Sequence, residues 1–178
     1  MKSSKSSEEP SIRNATSEDA AAIASIHVKS WQSAYADIFP AEYLAGLSIE
    51  ARTKAWQQLL EDNQNVTLVA EANGAIVAWA SGGLSRDADG NGSSELHAIY
   101  VLPAYWGKQI GAALMSGIEA VLHFAPKTTL WVLRENHRAI RFYEKFGYVA
   151  DGTQNELERG GVKRWEIRLQ KTNNKQVA

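Results

Sequence analysis

The chain of 178 residues contains no cysteine. That absence removes disulfides, thiolate nucleophiles and cysteine metal sites together. An excess of one charge is missing too. The formal net charge is −1, so no global field draws the chain to nucleic acid or to an anionic membrane, and any anion it binds must be held by local geometry. The four histidines, His27, His97, His123 and His137, show no metal-ligand spacing, and no metal is expected. No apolar run approaches the ~20 residues needed to span a bilayer. Residues 1–10 lack the apolar stretch of a signal peptide, so they read as a disordered tail and the protein as cytoplasmic.

What is present is the make-up of an ordinary globular protein, 44% hydrophobic and 22% charged. A chain of this length buries roughly 70% of its unfolded surface in one domain. That domain is read over 11–169, with a second polar, disordered tail over 170–178.

Taken in order, Ile12 and Arg13 start a short strand, and Thr16 with Asp19 three residues on marks a helix start. Ile23, Ile26, His27 and Trp31 share one helical face, with His27 read as a half-buried core residue. The segment 31–40 is richer in aromatics than a connector requires. Trp31, Tyr35 and Phe39 are candidates for an acceptor pocket as well as for core packing. Pro40 closes that helix, and Ser48 can cap another running to Leu60. A strand over 66–72, the hairpin signal Asn73-Gly74 and a return strand over 75–83 follow. The polar stretch 84–95 imitates the opening of a calcium loop with Asp87, Asp89, Asn91 and Gly92. Ala98 stands where the closing glutamate is needed, so it is read as a hairpin loop.

The stretch 95–115 organises the rest. It begins as a strand rich in β-branched and aromatic residues up to Val101, stopped by Pro103. After Tyr105 and Trp106, Gly107 opens a helix whose apolar residues Ile110, Leu114, Ile118 and Leu122 recur at three- and four-residue steps. A strand feeding a glycine turn and then a helix aims unpaired N–H groups and the positive helix end at one point, an anion site suited to phosphate. Further on come a strand over 128–133, an amphipathic helix over 136–146 with Gly147 as its C′ residue, and strands at 148–150, 155–158 and 162–169. Strands and helices mix without strict alternation, which predicts a mixed sheet with helices on both faces.

A second block, Asn136-His-Arg-Ala-Ile-Arg-Phe-Tyr-Glu-Lys-Phe-Gly-Tyr148, accompanies the glycine turn. Together the two resemble the GNAT superfamily of acetyl-CoA-dependent N-acetyltransferases, over roughly 11–169. The resemblance implies an α/β (α+β mixed) domain with a strongly twisted, mostly antiparallel mixed sheet flanked by helices on both faces. It also implies acetyl-CoA as cosubstrate and a homodimer through the C-terminal strands. In the family's cofactor loop, Gln/Arg-x-x-Gly-x-Gly/Ala, the fixed positions fall on Trp106, Gln109 and Gly111, and only Gly111 matches. Trp106, Gly107, Lys108, Gln109, Ile110, Gly111 and Ala112 are thereby expected to hold the pyrophosphate, mainly through backbone N–H groups. Lys108, Arg134 and Arg138 are the cations that can replace the missing family charge. The backbone of Ile99, Tyr100 and Val101 is expected to pair with the pantetheine arm as an added strand would. Asn136 matches the family asparagine that bonds that arm or nearby backbone, and Tyr143 matches the phenol beside the thioester sulfur.

Acetyl transfer to an amine poses two proton problems. An alkylamine with a pKa near ~10.4 is mostly protonated at pH 7, and freeing its lone pair costs roughly 4–5 kcal/mol. The departing thiolate also gains from a proton. Tyr143 is assigned as the acid. Glu95 and His97, two apart on one strand and so expected on one face, are the candidates for the base, Glu95 first with His97 as partner or alternate. Direct attack in a ternary complex is the mechanism expected. The acidic residues Asp37, Glu42, Asp87, Asp89, Glu95 and Glu156, if gathered near the mouth, favour a small cationic amine as acceptor. Two other readings stand beside it: a protein or peptide acetyltransferase acting on lysine or an N-terminus, and a sensor that binds acetyl-CoA without turnover.

Overall fold

The computed structural model describes residues 10–62 and 64–173. Most of the tail expected over 1–10, and 174–178 of the other, lie outside the described residues.

Among the described residues seven strands form one sheet in the order β1-β2-β3-β4-β5-β7-β6. They are β1 (Ser11–Asn14), β2 (Asn65–Ala72), β3 (Ala75–Leu84), β4 (Ser94–Val101), β5 (Lys127–Leu133), β6 (Val149–Arg159) and β7 (Val162–Thr172). All neighbouring pairs run antiparallel except β4 with β5. The helices are α1 (Ala20–Ala34), α2 (Ala41–Ala45), α3 (Ile49–Glu61), α4 (Ile110–Leu122) and α5 (His137–Lys145). This is the mixed α/β domain the sequence predicts.

Strand alternation sorts the core into two layers. Val69 and Trp79 face Ile23 and Ala24 of α1 and Trp56 of α3. Their neighbours Leu68, Ala70, Ala78 and Ala80 face Leu114, Met115 and Ile118 of α4 and Tyr143 of α5. The Asn73-Gly74 turn forms as read, with φ of 53° and 73°. Ser48 caps α3, its Oγ accepting the Ala51 N–H at 3.1 Å.

Two features of β4 position everything that follows. The first is a bulge: Ser81 pairs with Ala98 and Gly82 with Leu96, which leaves His97 over. Leu96 therefore packs on the α4 side, while Ala98 and Tyr100 turn to the α1–α3 side and Ile99 and Val101 to the α4 side. The second is a split. β5 registers with β4 only at Ser94, Glu95 and Leu96, opposite Thr128, Thr129 and Leu130. Beyond that point the two strands part and a gap opens in the sheet.

The C-terminal strands run longer than their polarity predicts. β6 is one strand with an irregularity between Ala150 and Gln154, instead of two pieces. β7 continues past 169, where Gln170, Lys171 and Thr172 pair with Thr129, Thr128 and Lys127. Backbone pairing is indifferent to these side chains' polarity, so a polar segment can still extend the strand. The loop between β3 and β4 is held by β7, across the sheet beyond β5. Arg168 of β7 donates to Asp87 (3.0 Å), to Asp89 (2.6 and 2.8 Å) and to Asp151 (2.7 Å). The acids that imitate a calcium loop are the acceptors of a buried guanidinium.

Candidate functional site

The gap between β4 and β5 is the floor of a cavity of about 1130 Å³. Its walls come from α1, the β3–β4 loop, the start of α4, α5 and the inner faces of β6 and β7.

At one end lies the start of α4. Gly107 and Gln109 both adopt left-handed backbone, with φ of 76° and 61°, so the turn curls its N–H groups inward. Gln109 is the N-cap, and its side chain makes no capping bond. The first backbone bond back to it comes from the Ala113 N–H, at 3.0 Å. The N–H groups of Ile110, Gly111 and Ala112 thus lack intrahelical acceptors at the positive end of the helix, which suits an anion. A left-handed β-carbon at Gln109 is strained where the family pattern has glycine. Gln109→Gly is expected to stabilise the fold by about 1 kcal/mol, a rise of about 2–4 °C in Tm. A lower Tm in thermal unfolding would show instead that the glutamine side chain holds the turn.

Trp106 lies beside this turn. Its Nε1–H donates to the Val101 carbonyl at 2.8 Å, and the Arg138 guanidinium stacks on its ring at 3.2 Å from the centroid. The indole thus carries an arginine at the position where the family pattern has a Gln/Arg side chain. Burial lowers Arg138 from its ordinary value. Lys108 lies over the Tyr105 ring at 4.8 Å and lines a neighbouring depression with Gly107 and Gln109.

In the middle is Tyr143, only 8% exposed. Burial first, then the nearby Tyr100 phenol, push it above the ordinary tyrosine value. Asn136 caps α5, its Oδ1 accepting the Ala139 N–H at 3.1 Å, and its side-chain amide bonds the Tyr35 hydroxyl at the cavity wall. The far wall is aromatic. Trp31 Nε1–H donates to the Tyr100 hydroxyl at 2.8 Å, Tyr35 stands edge-on to Trp31, and His27 stacks on Tyr100 at 5.2 Å. Burial and then Arg52 lower His27 to about 3, so its imidazole is neutral, and its Nδ1 has no partner among the described residues.

Most residues singled out from sequence meet here. Ile99, Tyr100, Val101, Trp106, Gly107, Gln109, Ile110, Gly111, Ala112, Asn136 and Tyr143 all line the cavity, as do Trp31, Tyr35 and His97. Phe39 does not; it is buried with Leu44 and Leu133, stacked behind Trp31. Glu95 and His97 lie close to each other and to Arg86, but only His97 lines the cavity. Glu95 is 1% exposed, outside the lining, and takes the Arg86 backbone N–H at 2.9 Å and its guanidinium. Burial works to raise the Glu95 carboxyl but is outweighed by these Arg86 bonds, which leave it below the usual value. His97 stays in the lining, with Nε2 3.4 Å from the Leu84 carbonyl. Burial and then Arg86 lower it, against a smaller opposing pull from Glu95. Sequence reasoning did not single out Arg86, Arg159 or Glu166, which also line the cavity. Among the described residues no group of His, Asp and Glu could hold a metal ion. Among the described residues no helix is long and apolar enough to cross a membrane.

The profile of the acetyltransferase (GNAT) family matches residues 25–148. The chain belongs to the GNAT family. An uncharacterised N-acetyltransferase of Bacillus subtilis, YuaI, is 30% identical over 160 residues, covering 89% of this chain and 90% of the relative. The Escherichia coli L-amino acid N-acyltransferase MnaT is 28% identical over 142 residues, 78% of this chain and 79% of its own. Among solved structures, the PaiA N-acetyltransferase of Thermoplasma acidophilum in complex with coenzyme A superposes with a TM-score of 0.73 at 22% identity, over 92% of this chain and 99% of that one. As a GNAT protein this chain is an acyltransferase of the N-acetyltransferase class. The split of β4 from β5 and the uncapped start of α4 are the parts of the GNAT fold that make its cavity.

Proposed function

We propose that this GNAT chain transfers an acetyl group from acetyl-CoA to the primary amine of a small acceptor of amino-acid type, by direct attack in a ternary complex. One observation carries the reading: a single cavity runs from the free N–H groups of α4, past the Tyr143 phenol, to an aromatic wall beside mixed charges. The residues fit the cofactor. The α4 N–H groups with Arg138 suit its phosphates, and the edge of β4 freed by the split suits its amide-bearing arm. Acetyl-CoA supplies an activated acyl group on a sulfur leaving group. Every proton must be handled by the chain or by water.

Tyr143 is the donor to that sulfur. A thiol has a pKa of about 8.5 and this phenol lies above 10, so complete proton transfer from phenol to thiolate is uphill. A hydrogen bond that strengthens as sulfur gains charge is the form its help takes. Of the two bases offered by sequence, only His97 reaches the lining.

For the acceptor, charge decides. Of the six acids expected to draw a small cationic amine, Asp87, Asp89, Glu95 and Glu156 are already paired with Arg168, Arg86 or Lys163. The acceptor end presents Arg86 and Arg159 beside Glu166. Mixed charge of that kind suits a molecule carrying both an ammonium and a carboxylate, and the name of the MnaT relative specifies L-amino acids. The test is thiol release from acetyl-CoA across free L-amino acids, polyamines, amino sugars and peptides, beside calorimetry with acetyl-CoA. A free amino acid should give the highest kcat/KM. Faster turnover of peptides would make the chain a peptide acetyltransferase, and binding without thiol release on any amine would make it a sensor.

A further inference from the structure

Glu166 lies on β7 opposite Leu133 and Asn155. It is half-buried in the cavity lining. Leu133 belongs to the aromatic layer with Phe39 and Leu44, so Glu166 shares the face of the sheet that carries the acceptor wall, across the split from β4. Its neighbours from each packed element are Tyr100 of β4, Arg86 of the β3–β4 loop and Arg159 of β6. Both arginines are spent in part elsewhere: Arg86 on Glu95, and Arg159 on the Glu158 carbonyl at 2.8 Å. Among the described residues no donor or ion-pair partner reaches the Glu166 carboxylate.

This carboxylate is the reverse of Glu95, which is sealed, doubly bonded and low. We infer that Glu166 is the general base that takes the proton from the acceptor's ammonium group. The inference rests on the acetyltransferase reading above and deepens it. One proton passes from the ammonium to a Glu166 oxygen. The freed nitrogen lone pair forms the N–C bond as the C–S bond breaks, and the nitrogen's second proton leaves by way of solvent to the departing thiolate. The environment favours this role. Burial raises the Glu166 carboxyl, with Arg159 and Arg86 pulling the other way without prevailing. His97 is lowered, so it is the poorer proton acceptor.

The test compares Glu166→Gln, His97→Gln and Glu95→Gln with the unsubstituted protein in acetyl-CoA turnover on a series of small amines whose pKa values run from about 10 to below 7. A base is needed only where the amine is protonated. Glu166→Gln should therefore lose about 10²-fold or more in kcat on the most basic amines. On amines already neutral at pH 7 it should lose less than about tenfold, and acetyl-CoA affinity by calorimetry should stay unchanged. The rising acid limb of the rate–pH profile, displaced above the ordinary carboxylate range in the unsubstituted protein, should vanish in that variant. A loss equal on all amines, an unchanged rate, or an amine-dependent loss that follows His97 or Glu95 would overturn the assignment while leaving the acetyltransferase reading intact. No turnover of any amine by the unsubstituted protein, with acetyl-CoA bound, would overturn both.

Discussion

Tyr143→Phe is expected to lower kcat on the best acceptor by about 10²–10³-fold, the usual cost of deleting one donor aimed at developing charge. Acetyl-CoA affinity should hold, because the substitution keeps the ring and its edge contacts with Phe142 and Tyr148. The effect should appear in kcat and kcat/KM together, since the bond strengthens only as sulfur becomes anionic. Burial keeps this phenol protonated throughout the working range, so Tyr143 itself should give no falling alkaline limb below about pH 10. Steady-state kinetics with circular dichroism of the variant check this. A fall of less than tenfold in a folded variant would reduce Tyr143 to a packing ring, and solvent would then have to meet the leaving sulfur.

What sequence could and could not reveal follows from the range of the interactions. The Asn73-Gly74 turn and the Ser48 cap are decided within a few residues, and both were legible, whereas α4 starts at Ile110 rather than at Gly107 because the left-handed turn runs on through Gln109. Asn136 and Tyr143 were legible through the second block, whose spacing places both on one short helix. The bulge at His97 was not, because it is visible only against the partner strand, where one residue of β3 answers two of β4. Glu95 and His97 both stay beside Arg86, yet only His97 lines the cavity. Glu166 was hidden by a different effect. Arg164, Glu166 and Arg168 alternate with Trp165, Ile167 and Leu169, which reads as a strand with one solvated face. The charged face is instead covered by a loop some 80 residues earlier in the chain, joined to it through Asp87 and Asp89 at separations of 81 and 79 residues. Composition cannot tell a charged face that meets water from one that meets its counter-ions.

That covering loop supports the second large expectation. Arg168→Met should destabilise the fold by about 3–5 kcal/mol, the usual cost of removing one partner from a buried ionic cluster. A loss of that size lowers Tm by more than about 6 °C in a chain of this length. The guanidinium is 7% exposed and Asp151 9%, so water cannot readily take its place. The pH dependence has a definite sign. In the unsubstituted protein, burial works to raise Asp151 but is outweighed by bonds from Thr153 and Arg168 that leave it low. A lowered folded value contributes stability above the unfolded value of about 3.9 and loses it as pH falls through the folded one. Without Arg168, burial is opposed by the Thr153 bonds alone, Asp151 rises relative to the unsubstituted protein, and the variant's penalty is relieved once that carboxyl is protonated. The gap in Tm between the two proteins should therefore narrow from pH 7 toward pH 4, and adding Asp151→Asn to Arg168→Met should recover part of the loss at pH 7. The Asp87 carboxylate also ties Arg168 to Trp131, whose Nε1–H donates to Oδ1 at 3.0 Å, so the loop bearing Arg86 should loosen along with the cluster. Acceptor KM should rise while acetyl-CoA binding at the distant start of α4 persists. A stability loss that is the same at pH 4 and pH 7 would mean that Arg168 acts by filling space, and that the three aspartates do not depend on its charge.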